Sequence, residues 1–136
     1  MITIAGLDHI VLRTADAARL IAFYGDVLGC PVEKAREDLG LWHLRAGSVL
    51  IDIVDAAGTL GKMGGAAPGA EARNLDHFCL RVEPYDEAAI RAHLAAHGID
   101  APEAVPRFGA EGDGPSIYIA DPDGNTVELK GPPFEA

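Results

Sequence analysis

The heptapeptide LDHIVLR at residues 7–13 returns as LDHFCLR at residues 75–81, and each copy opens the same succession of elements. After the first copy, a strand-like run of Ile10, Val11 and Leu12 gives way to helical spacing through Leu20, Phe23/Tyr24 and Val27/Leu28. Thr14 or Asp16 is placed to cap that helix, and Gly29 supplies the left-handed residue expected just past its end. Three short segments rich in β-branched or aromatic residues follow: PVEKAR, LWHLRA and VLIDIVD. The first half reads βαβββ. The second half reads the same way: HFCLRV is strand-like, and DEAAIRAHLAAHG is helical, with Ile90 and Leu94 on one stripe and Gly98 as its stop. DAPEAVPR, SIYIAD and TVELKG then form the remaining strands.

These repeats bound a first module at residues 1–55 and a second at 75–136, one compact domain in all. Residues 56–74, rich in Gly and Ala and without either period, form the linker. A lone four-stranded unit cannot bury both faces of its sheet. The expected class is therefore α+β: two βαβββ modules with strongly curved mixed sheets joined edge to edge and helices on the outside. At 136 residues the chain can bury roughly 70% of its extended-chain surface and needs no covalent staples.

A repeated fold requires repeated apolar residues, but it does not require a repeated histidine. Strand parity puts His9 on a face with Val11 and Arg13, and His77 on a face with Cys79 and Arg81, opposite the more apolar residues in each case. In the strands that close the modules, Asp52 lies opposite Val49, Ile51 and Ile53, and Glu128 lies opposite Val127 and Leu129. Two imidazoles and two carboxylates brought to one concave face would make an N2O2 site suited to Zn, Ni, Co, Mn or Fe(II), with room for water or substrate. A single strand His is more often a hydrogen-bonded structural residue; the paired repetition carries the metal reading.

Charge and cysteine usage narrow the partners. Eleven basic residues against 21 acidic ones give a formal charge of −10 with no basic run, so nucleic acid and anionic membranes are not expected partners. Cys30 and Cys79 lack a CxxC spacing and read as reduced thiols. The N-terminal residues lack the pattern of a secretion signal, and no apolar run approaches the roughly 18 residues needed to cross a bilayer. The expectation is a cytoplasmic protein with a small-molecule substrate.

Four pieces, DHIVLRTAD, FYGDVLG, LDHFCLRV and IADPDGNTVELK, stand in the order and approximate spacing of the vicinal oxygen chelate superfamily, which the chain resembles over nearly its whole length. That superfamily includes glyoxalase I, extradiol dioxygenases, fosfomycin-resistance proteins and bleomycin-binding proteins. The resemblance implies paired modules that form a cup around a divalent metal, with ligands at His9, Asp52, His77 and Glu128. It also implies a homodimer whose cups are completed at or across the subunit interface.

The glyoxalase I-like members imply a lyase or isomerase acting on a substrate with vicinal oxygens by proton abstraction beside a carbonyl. Glu128 is the first candidate for the base and Asp52 the second. Arg13 matches an Arg that helps hold the glutathione carboxylate of a thiol adduct, whereas Ala56 stands where an Asn is expected. Arg107 would overhang the cup and pair with an anionic substrate, and His43 would serve as a supporting group or proton shuttle.

Asp52 departs from the Glu usual in glyoxalases by one methylene. Without it, His9, His77 and Glu128 form the two-His, one-carboxylate triad of an Fe(II) extradiol-type dioxygenase. A non-enzymatic binding or resistance protein is the third reading, and the intact ligand residues argue against it. The His93/His97 pair lacks the Glu of a zinc-protease helix, DPDGN reads as a hairpin turn, and GTLGKM lacks phosphate-loop spacing.

Overall fold

The structure, a computed structural model, describes residues 1–135. The chain divides into two compact units, Met1–Glu71 and Ala72–Ala136. Each is built as βαβββ. In the first, β1 (His9–Thr14) leads to α1 (Ala17–Ala22), followed by β2 (Val32–Arg36), β3 (Leu41–Ala46) and β4 (Val49–Asp55). In the second, β5 (His77–Arg81) leads to α2 (Glu87–Ala96), then β6 (Val105–Gly109), β7 (Gly112–Ala120) and β8 (Thr126–Lys130). Strand orders are β1-β4-β3-β2 and β5-β8-β7-β6. In both sheets the first strand runs parallel to the last, and the other pairings are antiparallel.

The repeat thus places chemically distinct residues in equivalent positions. Within the first sheet, Val11 pairs with Asp52, Arg13 with Val54, and His43 with Asp52. Within the second, Cys79 pairs with Glu128, Arg81 with Lys130, and Tyr118 with Glu128. Asp52 and Glu128 are counterparts, as are Val54 and Lys130, and so are His43 and Tyr118.

Alternation gives each sheet one apolar face. In the first unit Leu12, Leu44, Ile51 and Ile53 are buried together with Leu20, Phe23 and Tyr24 of the helical segment, and α1 packs on β4. In the second, Ile117, Ile119, Val127, Leu129 and Leu94 are the buried counterparts. At about 2 kcal/mol for each fully buried large aliphatic side chain, these faces are the main stabilising feature of each unit.

Local signals act where expected at the helix ends. Asp16 and Asp86 accept from the N–H groups of Arg19 and Ala89. Gly29 and Gly98 take φ values of 70° and 78° just after their helices, a region that strains residues with a Cβ. The first helix departs from expectation, because its last turn widens into π-helical geometry over Phe23–Val27. β6 starts at Val105 and not at Asp100, and β7 starts at Gly112 and not at Ser116, because the hairpin pairs Gly109 with Gly112. The Gly/Ala-rich segment also contains a single 3-10 turn, Gly61–Gly64. No helix of the described residues is long and apolar enough to cross a membrane.

Candidate functional site

Both repeated histidines are anchored by the residue before them. His9 Nδ1 lies 2.6 Å from Asp8 Oδ1, and His77 Nδ1 lies 2.7 Å from Asp76 Oδ2. An Nδ1–H donated to a carboxylate orients the ring and leaves Nε2 as the chemically available nitrogen. The hydrogen bond donated to Asp8 is the main reason that the His9 imidazole titrates above its ordinary range, and the one donated to Asp76 does the same for His77. These aspartates had a sequence signal, since Asp is repeated along with His in both LDH triplets.

The two Nε2 atoms face carboxylates on the neighbouring closing strands, at unequal distances. His77 Nε2 lies 3.3 Å from Glu128 Oε1, whereas His9 Nε2 lies 4.0 Å from Asp52 Oδ2. Asp52 is drawn instead to His43, whose Nδ1 is 2.8 Å from Asp52 Oδ1 across the β3–β4 pair. Glu128 accepts from Ser116 Oγ at 2.6 Å and also interacts with Tyr118. Burial pushes the Glu128 carboxyl up, but hydrogen bonds from Ser116 and Tyr118, with the His77 charge, bring it below its ordinary value. Both carboxylates are nearly inaccessible, Asp52 at 4% and Glu128 at 5% exposure. Their retained partners offset a desolvation cost that an unpaired buried carboxylate would bear.

The second unit also holds a cavity of about 300 Å³ lined by His77, Cys79, Glu128, Lys130 and Arg81, with Phe108 among the other lining residues. Phe108 is largely exposed. The Cys79 thiol has surface access, yet desolvation, followed by the nearby Glu128 charge, pushes it up to about 11. It stays a thiol at neutral pH and is not an activated nucleophile.

The residues expected to meet substrate divide. His43 is committed to Asp52. Arg13 donates to the carbonyls of Gly61, Gly65 and Ala66, and so ties β1 to the Gly-rich segment. Arg107 lies on β6 with its guanidinium carbon 5.8 Å from the centre of the Tyr118 ring and an N–H donated to the Pro106 carbonyl. Among the described residues, no three His, Cys, Asp or Glu side chains gather as a metal-holding group. What each unit presents is one His–carboxylate pair with its Nδ1 already anchored. That donor chemistry, imidazole Nε2 beside carboxylate oxygen, suits a divalent transition ion.

Comparisons with known proteins agree with this architecture. The chain is 28% identical over 124 residues to the virulence protein STM3117 of Salmonella typhimurium, covering 90% of this chain and 81% of that protein. The crystal structure of STM3117 superposes with a TM-score of 0.76 at 26% identity, covering 96% of this chain and 99% of that one. The fold is shared with lactoylglutathione lyase from Agrobacterium tumefaciens at a TM-score of 0.67 and 22% identity, covering 95% of each chain. The fosfomycin resistance protein FosX from Listeria monocytogenes has a TM-score of 0.67 at 20% identity, covering 98% of each chain. A family model matches residues 6–129, and the chain belongs to the glyoxalase/bleomycin resistance protein/dioxygenase superfamily.

Proposed function

We propose that the protein is a divalent-metal-dependent lyase or isomerase of the glyoxalase I type, acting on a small substrate with two neighbouring oxygens. The observation that carries this reading is the repeated pair, His9 with Asp52 and His77 with Glu128, each imidazole anchored through Nδ1. Among structural relatives, one is a lactoylglutathione lyase, which supports this type of reaction by analogy of fold. His9, His77 and Glu128 are the proposed metal ligands, with Asp52 as the fourth. A divalent ion there would supply Lewis-acid polarisation of the substrate oxygens.

The chain's own residues do the remaining work. Asp8 and Asp76 hold the imidazoles so that Nε2 keeps one direction. Glu128 is the proposed base for the proton beside the carbonyl, because its carboxylate lies 3.3 Å from His77 and lines the cavity of the second unit. Ser116 and Tyr118 orient that carboxylate, and His43 orients Asp52. A homodimer is part of the proposal, with a second copy completing the site.

One observation favours a second enzymatic reading. Asp52 sits 2.8 Å from His43 and 4.0 Å from His9, so a ligand set of His9, His77 and Glu128 alone would suit oxygen activation by Fe(II). Two assays on the metal-loaded protein separate the readings. Isomerisation of a hemithioacetal supports the lyase, and oxygen uptake with a catechol supports the dioxygenase. A metal-loaded protein that does neither and binds the same ligands equally well without metal would leave the binding-protein reading in their place.

A further inference from the structure

Lys130 is the least expected charge in the second unit. It ends β8 on the same face as Glu128, is only 9% exposed, and has no ion pair among the described residues. Its Nζ donates to the Arg107 and Gly114 carbonyls, leaving the third ammonium proton for another acceptor. A buried ammonium held by neutral carbonyls alone is costly unless an anion completes its shell.

The surrounding backbone is shaped to admit this side chain. A Cβ at Gly109 would meet Lys130 Cε at 2.6 Å, and one at Gly114 would lie 3.2 Å from Nζ. The fold itself has no need of a cation here, because the equivalent residue of the first unit is Val54, buried and apolar. Arg81, the register partner of Lys130, already pairs with Glu111 at 2.7 Å. Lys130 lines the same cavity as His77 and Glu128.

We infer that Lys130 is the anion-binding residue of this cavity and that the substrate is a short molecule carrying a terminal oxyanion, a carboxylate or a phosphate. The inference rests on the proposed reading only in placing the reacting oxygens near His77 and Glu128. Two residues along a strand span roughly 6.6 Å. An anionic group at Lys130 therefore sets its distance from the reacting carbons, and only a few carbon atoms fit between them. The net charge of −10 would repel such a substrate, so its capture has to be local, as a sheltered ammonium allows.

The test titrates the full-length chain with levulinate and its uncharged methyl ester, and with dihydroxyacetone phosphate and uncharged dihydroxyacetone. Backbone amide shifts of Gly114 and Gly131 are followed by NMR, before and after dialysis against a chelator. An anion is expected to bind in both states and its neutral analogue to bind more weakly, with the tighter anion identifying the group as carboxylate or phosphate. Lys130→Met should weaken anion binding by about tenfold or more. Gly109→Ala, which keeps the charge but crowds Lys130 Cε, should weaken it too and guards against misfolding of the first variant. Anion binding that survives both substitutions, or that chelation abolishes in the wild-type chain, overturns the inference. Because the chelated arm contains no metal, failure of the metal-enzyme reading would not imitate either result.

Discussion

The two units share a backbone plan but use equivalent positions differently. In the first, the short Asp52 carboxylate is drawn onto His43, Arg13 is occupied by loop carbonyls, and Val54 is apolar. In the second, the longer Glu128 reaches to 3.3 Å from its histidine, Arg81 pairs with Glu111, and Lys130 lines a cavity. The first unit's carboxylate is held by His43, whereas the second unit's is held by Ser116, stands nearer its own histidine and lines a cavity. The two units share the frame, and the residues at matched positions set how each His–carboxylate pair is held.

The largest effect should come from neutralising the two carboxylates one at a time. Glu128→Gln is expected to lower turnover by about a hundredfold or more, in the range found for removing a general base. Asp52→Asn should cost about tenfold, because His43 holds that carboxylate away from His9; steady-state rates on metal-loaded variants check the order. Equal losses would remove the proposed difference between the halves.

Stability should show the next contrast. His43→Phe leaves a buried Asp52 without its 2.8 Å partner and is expected to cost about 2 kcal/mol in urea unfolding. Tyr118→Phe should cost about 1 kcal/mol or less, because Glu128 keeps Ser116. Similarly, Arg13→Ala should cost about 1–2 kcal/mol and speed hydrogen exchange at Gly65, whose N–H lies in the tethered segment. Arg81→Ala, which breaks only a half-exposed ion pair, should stay within about 0.5 kcal/mol.

The smallest expected effect is on pH dependence in the metal-free chain. Glu128 is lowered, so its contribution is present above the ordinary carboxylate value of 4.5 and is lost as pH falls through its folded-state value. His77 is raised, so its contribution is present below 6.5 and is lost as pH rises through its folded-state value. Together they favour the folded state most between those reference values. A series of unfolding midpoints should show this bell, flattened in Glu128→Gln.

Much of the frame was legible because it is periodic. The repeated LDH triplets, the strand parity of His9, Asp52, His77 and Glu128, and the Gly29 and Gly98 stops are local patterns, and the sheets and helices follow them. The pairings that distinguish the halves were not legible. The His43–Asp52 contact depends on the register of β3 against β4, and Arg13 meets carbonyls some fifty residues away in a segment without periodicity. No local pattern in the sequence marks the burial of Lys130. Its burial depends on Gly109 and Gly114, which are close to it in space but far from it in the chain. Asp8 and Asp76 were visible as repeats, but their work is apparent only once each carboxylate meets Nδ1 of the next residue.

If the anchored histidines hold a divalent ion, elemental analysis of gently purified wild-type protein and of His77→Ala will reveal it. A transition metal near stoichiometry with the chain is expected in the wild type, and its loss in the folded variant. Full metal content in His77→Ala, or a wild-type protein that takes up no divalent metal on reconstitution, would contradict it.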